Sequence, residues 1–262
     1  MRVFATFNIK GGVGKTSTCT TLAYLAASEG LRTLVWDLDP QGAAAWIYRV
    51  SPADPTRGPL GPAAVRASDH ENLDVLPPLE AESRRNGAGP LRPAEVLSAL
   101  RRDYDAVFID AAPALSPLAE GVFEVADALI APTIPTPLAL RTLARLLLHL
   151  KQRSPRPRVL PFFTMVDRRK ALHRQVAEYA EAQHLGFLAS EIPYSSAVER
   201  MSVLRRPLHA FAGGDRAARA YRELWAEVRA RMSAREPAEG ELPSRDRVAA
   251  LLAEVRAAAG PR

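Results

Sequence analysis

The chain is 262 residues long and 47% hydrophobic, enough for one large α/β domain with a sizeable core. No apolar run reaches the about 18 residues of a transmembrane helix, and the single cysteine, Cys19, can build neither a disulfide framework nor a metal cluster. The net charge of +6 is carried by arginine, since only Lys10, Lys15, Lys151 and Lys170 are lysines, and it favours a polyanionic partner.

The apolar run Val3 to Phe7 is predicted to be a buried strand. It enters Lys10-Gly11-Gly12-Val13-Gly14-Lys15-Thr16-Ser17, and Thr18 to Ser28, rich in Ala and Leu, is predicted to be a helix. Strand, glycine loop and helix are the context a phosphate-binding loop requires. The glycines let backbone N–H groups approach phosphate oxygens, and the helix N-terminus adds partial positive charge. Lys15 would reach the β- and γ-phosphates, and the Thr16 hydroxyl would ligate Mg²⁺. Residues 31–37 are predicted to be a second buried strand ending in Asp37-Leu38-Asp39-Pro40-Gln41-Gly42. Carboxylates at i and i+2 of an extended segment point the same way, and the C-terminal end of a parallel strand is where a doubly wound sheet binds ligands.

Residues 51–70 and 79–90, rich in Pro, Gly, Ala and Arg, are expected to be loops flanking a strand near Leu73–Pro77. Pro93 to Arg102 is predicted to be a helix with Pro at its start. Tyr104 to Asp110 is an apolar strand ending in an acid, followed by Ala111-Ala112-Pro113. Ala126 to Pro132 is the next predicted strand, and Leu138 to Leu150 an amphipathic helix whose Leu140, Leu143, Leu147 and Leu150 suit a core or a dimer seam. Val159 to Met165 is predicted to be a strand, Ala177 to Gln183 to continue a helix, and Phe187 to Ile192 to be the last strand. Ala210 to Met232 holds a helix with Tyr221, Leu224, Trp225 and Val228 on one face. Glu236 to Pro243 reads as a linker, and Ser244 to Ala258 as a terminal helix with Ser244 as its N-cap. The expected division is a phosphate-loop domain over 1–232 and a linker with helical tail over 233–262. The expected fold is α/β, a mostly parallel twisted sheet with helices on both faces.

The spelling K-G-G-x-G-K-[ST] from Lys10 to Thr16 resembles the deviant phosphate loop of the ParA/MinD ATPases. The resemblance implies that Lys15 serves the nucleotide of its own subunit, while Lys10 crosses a dimer interface to the partner's nucleotide. Gly11, Gly12, Val13, Gly14 and Ser17 would complete the cradle. The segment Asp37 to Gly42 looks like the family's second acidic motif. Carried over, Asp39 orients the attacking water and joins Thr16 and Asp110 at the metal, and Asp37 supports the loop and the metal shell. The strand ending at Asp110 resembles the family's Walker B strand, although the family continues with a small polar residue and two prolines, not Ala111-Ala112-Pro113. The segment Thr164-Met165-Val166-Asp167-Arg168-Arg169 and the pair Ile192-Pro193 are similar to family segments near the base, which places Met165, Asp167 and Pro193 by the adenine.

With no helix-turn-helix region before the loop, the resemblance is to the short ParA (Soj-like) partition ATPases. It implies an ATP- and Mg²⁺-dependent hydrolase that dimerises on ATP, binds duplex DNA non-specifically, and is stimulated by a ParB-like or cargo-adaptor protein. The candidate DNA contacts are Arg168, Arg169, Arg200, Arg205 and Arg206, from two basic clusters after the late strands. A MinD-like membrane role is the alternative, but it needs a basic, bulky-apolar terminal helix, and the tail mixes Glu254 with arginines and lacks Phe and Trp. Metal and electron carriers sharing this loop need paired or interfacial cysteines, which Cys19 alone does not supply. The chain enters its first strand at once, leaving no room for a signal peptide; the expected location is cytoplasmic and nucleoid-associated.

Overall fold

A computed structural model describes residues 1–53, 61–78, 91–182, 185–234 and position 253. The strands are β1 (Arg2–Thr6), β2 (Thr33–Asp37), β3 (Arg66–Ala67), β4 (Leu73–Leu76), β5 (Ala106–Asp110), β6 (Ala128–Thr133) and β7 (Arg158–Phe163). The helices are α1 (Lys15–Ser28), α2 (Ala43–Ile47), α3 (Pro93–Leu100), α4 (Pro117–Val125), α5 (Pro137–Leu150), α6 (Ala171–Ala182), α7 (Ser196–Leu204), α8 (His209–Ala212) and α9 (Arg216–Ser233). The strands form one sheet in the order β3-β4-β2-β5-β1-β6-β7, all parallel except β3 against β4. This is the expected α/β class.

The pleat sorts each central strand between two cores. Phe4, Val35, Phe108 and Ile130 face one side, where α1 and α9 pack; Val3, Ala5, Leu34, Trp36, Val107 and Ile109 face the other, against α3, α4 and α5. Burial on both faces explains why these strands are runs of apolar residues and do not alternate. Phe4 and Phe108 stack at 5.0 Å, with Trp225 of α9 edge-on to Phe4 at 5.6 Å. The predicted face of α9, with Tyr221, Leu224, Trp225 and Val228, is buried there. The predicted leucine stripe of α5 is also core.

The sheet switches direction at β1, where the chain has strands on either side. Register then lines up three strand ends: Thr6 of β1 pairs with Asp110 of β5, which pairs with Asp37 of β2. A loop, a buried acid and a second acid therefore meet at the C-terminal edge of the sheet.

Some expectations need correction. Phe187 to Ile192 is not a strand: only Leu188 and Ile192 donate to the β7 backbone, at 2.8 Å each, because Glu227 of α9 takes the N–H groups of Ala189 and Ser190 between them. Residues 51–70 are not all loop, since β3 pairs there. Ala210 to Met232 is two helices, broken at Gly213-Gly214 and restarted by Asp215, whose side chain caps Ala217 N. Helices α2, α4 and α7 were not anticipated. The loop 79–90, Gln183 and the predicted tail helix Ser244 to Ala258, apart from position 253, lie outside the described residues. Among the described residues no helix is long and apolar enough to cross a membrane.

Candidate functional site

β1 delivers the chain to the glycine loop and α1 takes it away. Gly12 and Gly14 have φ of 69° and 80°, where a side chain would be strained. Gly14 precedes α1, and no side chain caps the helix. The N–H groups of Gly14, Lys15, Thr16 and Ser17 have no acceptor among the described residues. Four free donors at the start of a 14-residue helix make an anion site. Val13 is fully buried and pins the loop to the body. Asn8, also fully buried, donates to the Pro132 carbonyl at 2.9 Å and accepts Lys10 N at 3.0 Å, which fixes the loop's entrance.

Lys15 is only 7% exposed; burial lowers its pKa, while Asp110 and then Asp39 act to raise it. The Thr16 hydroxyl donates to Asp110 Oδ2 at 2.6 Å. Burial, then the charge of Asp37, pushes the Asp110 carboxyl up to about 7 against the Thr16 hydrogen bond and Lys15. Burial likewise pushes Asp37 up to about 6, although its oxygens accept Ala45 N at 2.9 Å and Asp39 N at 3.1 Å. Asp37 thus ties α2 to the end of β2. Asp39 is partly exposed and holds its own turn by accepting Gln41 N at 3.0 Å.

Two neighbouring buried carboxylates, both with raised pKa values and Asp37 adding to the rise at Asp110, mark a place for a cation. The Thr16 hydroxyl and the Asp110 carboxylate are hard oxygen donors that fit Mg²⁺. Among the described residues no group of three or more His, Cys, Asp or Glu side chains could hold a metal. The Lys10 ammonium is half-buried and has no hydrogen bond or ion pair among the described residues.

The three residues expected near adenine sit together on the β7 side of the loop. A Cβ on Gly14 would lie 3.8 Å from Met165 Cε, so Met165 leans on the loop, itself in the left-handed region at φ 54°. Val166 bridges to Pro193, and Asp167 and Pro193 line one cleft of about 750 Å³ with Tyr194, Arg216 and Arg219. Asp167 is bound through both oxygens to Arg169, which holds its carboxyl down at about 2.

The candidate DNA arginines fall into two places. Arg168 and Arg169 are exposed but paired, with Glu191 at 3.1 Å and Asp167 at 3.0 Å. Arg200, Arg205 and Arg206 lie on and just after α7, near Phe211, Trp46 and Ala210 respectively. The second cluster carries no carboxylate pair among the described residues and so presents the freer charge.

The family model described as the CobQ/CobB/MinD/ParA nucleotide binding domain matches residues 4–208. The chain belongs to this family. The chromosome-partitioning ATPase Soj of Thermus thermophilus is 32% identical over 250 residues, covering 88% of this chain and 97% of its own. The cell division ATPase MinD of Pyrococcus furiosus shares the fold with a TM-score of 0.76 at 19% identity, over 87% of this chain and 98% of that one. The septum site-determining MinD of Pyrococcus horikoshii, solved with Mg-ADP, gives 0.74 at 20% identity, over 90% and 99%. The chain is thus a ParA/Soj/MinD-type protein, from a family of ATPases of partitioning and positioning.

Sequence reasoning missed two members of this ParA/MinD-type site. Asn8 carried a usable signal, a polar residue between an apolar strand and the loop. Thr6 donates to the Ile109 carbonyl at 3.1 Å and lies 3.5 Å from Asp110 Oδ1; it becomes visible only once β1 is paired with β5.

Proposed function

We propose that the chain hydrolyses ATP to ADP and phosphate, dimerises when it binds ATP, and binds duplex DNA without sequence preference. This switch would segregate or position DNA or protein cargo. Turnover would be slow until a ParB-like or cargo-adaptor partner raises it. The observation that carries the reading is the Thr16–Asp110 hydrogen bond at 2.6 Å, set beneath four free loop N–H groups and beside buried Lys15. Its ligand is an anion with a divalent cation attached, which is what a nucleoside triphosphate presents. The Soj relative's description as a chromosome-partitioning ATPase and the Mg-ADP of the Pyrococcus horikoshii neighbour support it.

Mg²⁺, held by Thr16 and Asp110 with Asp39 beside it, would neutralise charge on the transferring phosphate. Lys15 and the N–H groups of Gly11 to Ser17 would bind and orient the phosphates of the same subunit. Lys10, whose ammonium has no ion pair among the described residues, would reach the partner's nucleotide. Asp39 would orient the attacking water, and Asp37 would keep that segment folded through Ala45 N. Met165, Asp167 and Pro193 would flank the adenine. Arg168, Arg169, Arg200, Arg205 and Arg206 would meet DNA phosphates, which position a protein without reading sequence. On this reading residues 1–232 act as the ATPase domain, 233–262 as an appended tail, and the protein resides on the nucleoid in the cytoplasm.

The test is phosphate release measured beside light scattering. ATP should be hydrolysed, and a slowly hydrolysed ATP analogue should double the scattering mass while ADP leaves it monomeric. A chain that neither releases phosphate nor changes mass with any nucleotide would overturn the proposal.

A further inference from the structure

Trp46 lies one residue from the end of α2 and is 51% exposed, whereas the other two tryptophans, Trp36 and Trp225, are buried. The exposed indole is locked. Its Nε1 donates to the Ser202 carbonyl at 2.9 Å, near the end of α7. Its own carbonyl accepts Arg205 Nε at 3.1 Å. The Arg205 guanidinium lies over the indole, 3.9 Å from the ring centroid. Arg49 closes the set by donating to the Arg205 carbonyl at 3.2 Å.

These contacts fix a side chain that would otherwise sample many rotamers. Arg205 also sits at φ 50°, a left-handed backbone that a non-glycine residue keeps only when its surroundings hold it. With Nε used and one face on the ring, the two terminal nitrogens of Arg205 have no acceptor among the described residues. That edge carries parallel N–H donors in the spacing that two phosphate oxygens accept. Arg206 is exposed next to it, and Arg49, besides its bond to the Arg205 carbonyl, makes an exposed pair with Asp69 at 3.7 Å.

We propose that Trp46 is a positioning residue for a phosphate site. It holds Arg205 flat, with its terminal edge free to take a backbone phosphate of a nucleic-acid duplex beside Arg206 and Arg49. The inference rests on the proposed DNA binding and adds to it a residue that carries no charge. A duplex suits the site better than a lipid surface. The indole is covered on one face by guanidinium and pinned at Nε1, so it is not free to insert among acyl chains.

The experiment is fluorescence anisotropy of a labelled duplex of mixed sequence with the full chain and a slowly hydrolysed ATP analogue, from about 50 to 200 mM salt. Trp46→Ala leaves the charge unchanged, yet should weaken binding by about tenfold, much as Arg205→Ala does. It should also flatten the log–log salt slope by up to about 0.9 per site. Trp46→Phe keeps a ring for the guanidinium and should restore most of the loss. The double variant Trp46→Ala with Arg205→Ala should bind as well as either single one, because both remove the same contact. In the wild type, iodide quenching reports on Trp46 alone, since the other two indoles are buried, and the duplex should protect it. Wild-type affinity and slope in Trp46→Ala, or losses that add in the double variant, would overturn the inference and leave DNA binding standing. If the wild type binds no duplex, the DNA reading itself fails. Protection by anionic vesicles without protection by duplex overturns both.

Discussion

Replacing Lys15 by Ala should remove ATP binding. The ammonium is 7% exposed, desolvated, and lies in the field of Asp110 and Asp39. Removing one partner from a buried, paired charge costs about 3–5 kcal/mol. Against phosphate oxygens that is roughly two to three and a half orders of magnitude in Kd. The variant also leaves Asp110 without the cation that offsets its repulsion by Asp37. The loss should therefore be larger for ATP than for a neutral nucleoside, which tests charge and not shape. Isothermal titration calorimetry with ATP, ADP and adenosine measures it, with circular dichroism to show that α1 is still folded. ATP affinity within about threefold of wild type, less than half of one tenfold step, would refute the phosphate-loop reasoning.

Lys10→Ala should bind ATP normally but no longer dimerise with it, because the Lys10 ammonium has no partner within its own subunit among the described residues; light scattering with the ATP analogue checks this. Asp39→Ala should bind ATP and dimerise but lose turnover, the pattern of a contact made mainly in the transition state; unchanged phosphate release would move the role to Asp37. Arg205→Glu with Arg206→Glu should weaken binding to every duplex sequence alike and flatten the salt slope, as measured by anisotropy at several salt concentrations. Phe108→Ala, which empties the stack with Phe4 under Trp225, should lower unfolding stability by about 3–5 kcal/mol in a urea titration.

The loop and its two acidic strands were legible because their information is local. Glycine spelling sets the turn, and an apolar run that ends in Asp sets a strand whose last side chain faces the ligand edge. Helices α4 and α7 were also written locally. Ser116 caps Ala119 N and is followed by Pro117 and Glu120, and Ser195 caps Ala197 N with Glu199 in the first turn. Helix α2 is different: its N-terminal Gly42 has no side-chain cap, and the Asp37 carboxylate that holds Ala45 N comes from the preceding strand. The failed strand at Phe187 to Ile192 has the same kind of cause. Its pattern is strand-like, but Glu227, on α9, captures the Ala189 and Ser190 amides. Such tertiary contacts leave no mark in a local window.

The central claim is that ATP turns this chain into a DNA-binding dimer. Anisotropy of one labelled duplex at low salt, with the ATP analogue, with ADP and with no nucleotide, tests it most directly. The account predicts tight, salt-sensitive and sequence-independent binding with the analogue, and little with ADP or without nucleotide. Equal binding in all three conditions, or none with the analogue, would contradict it.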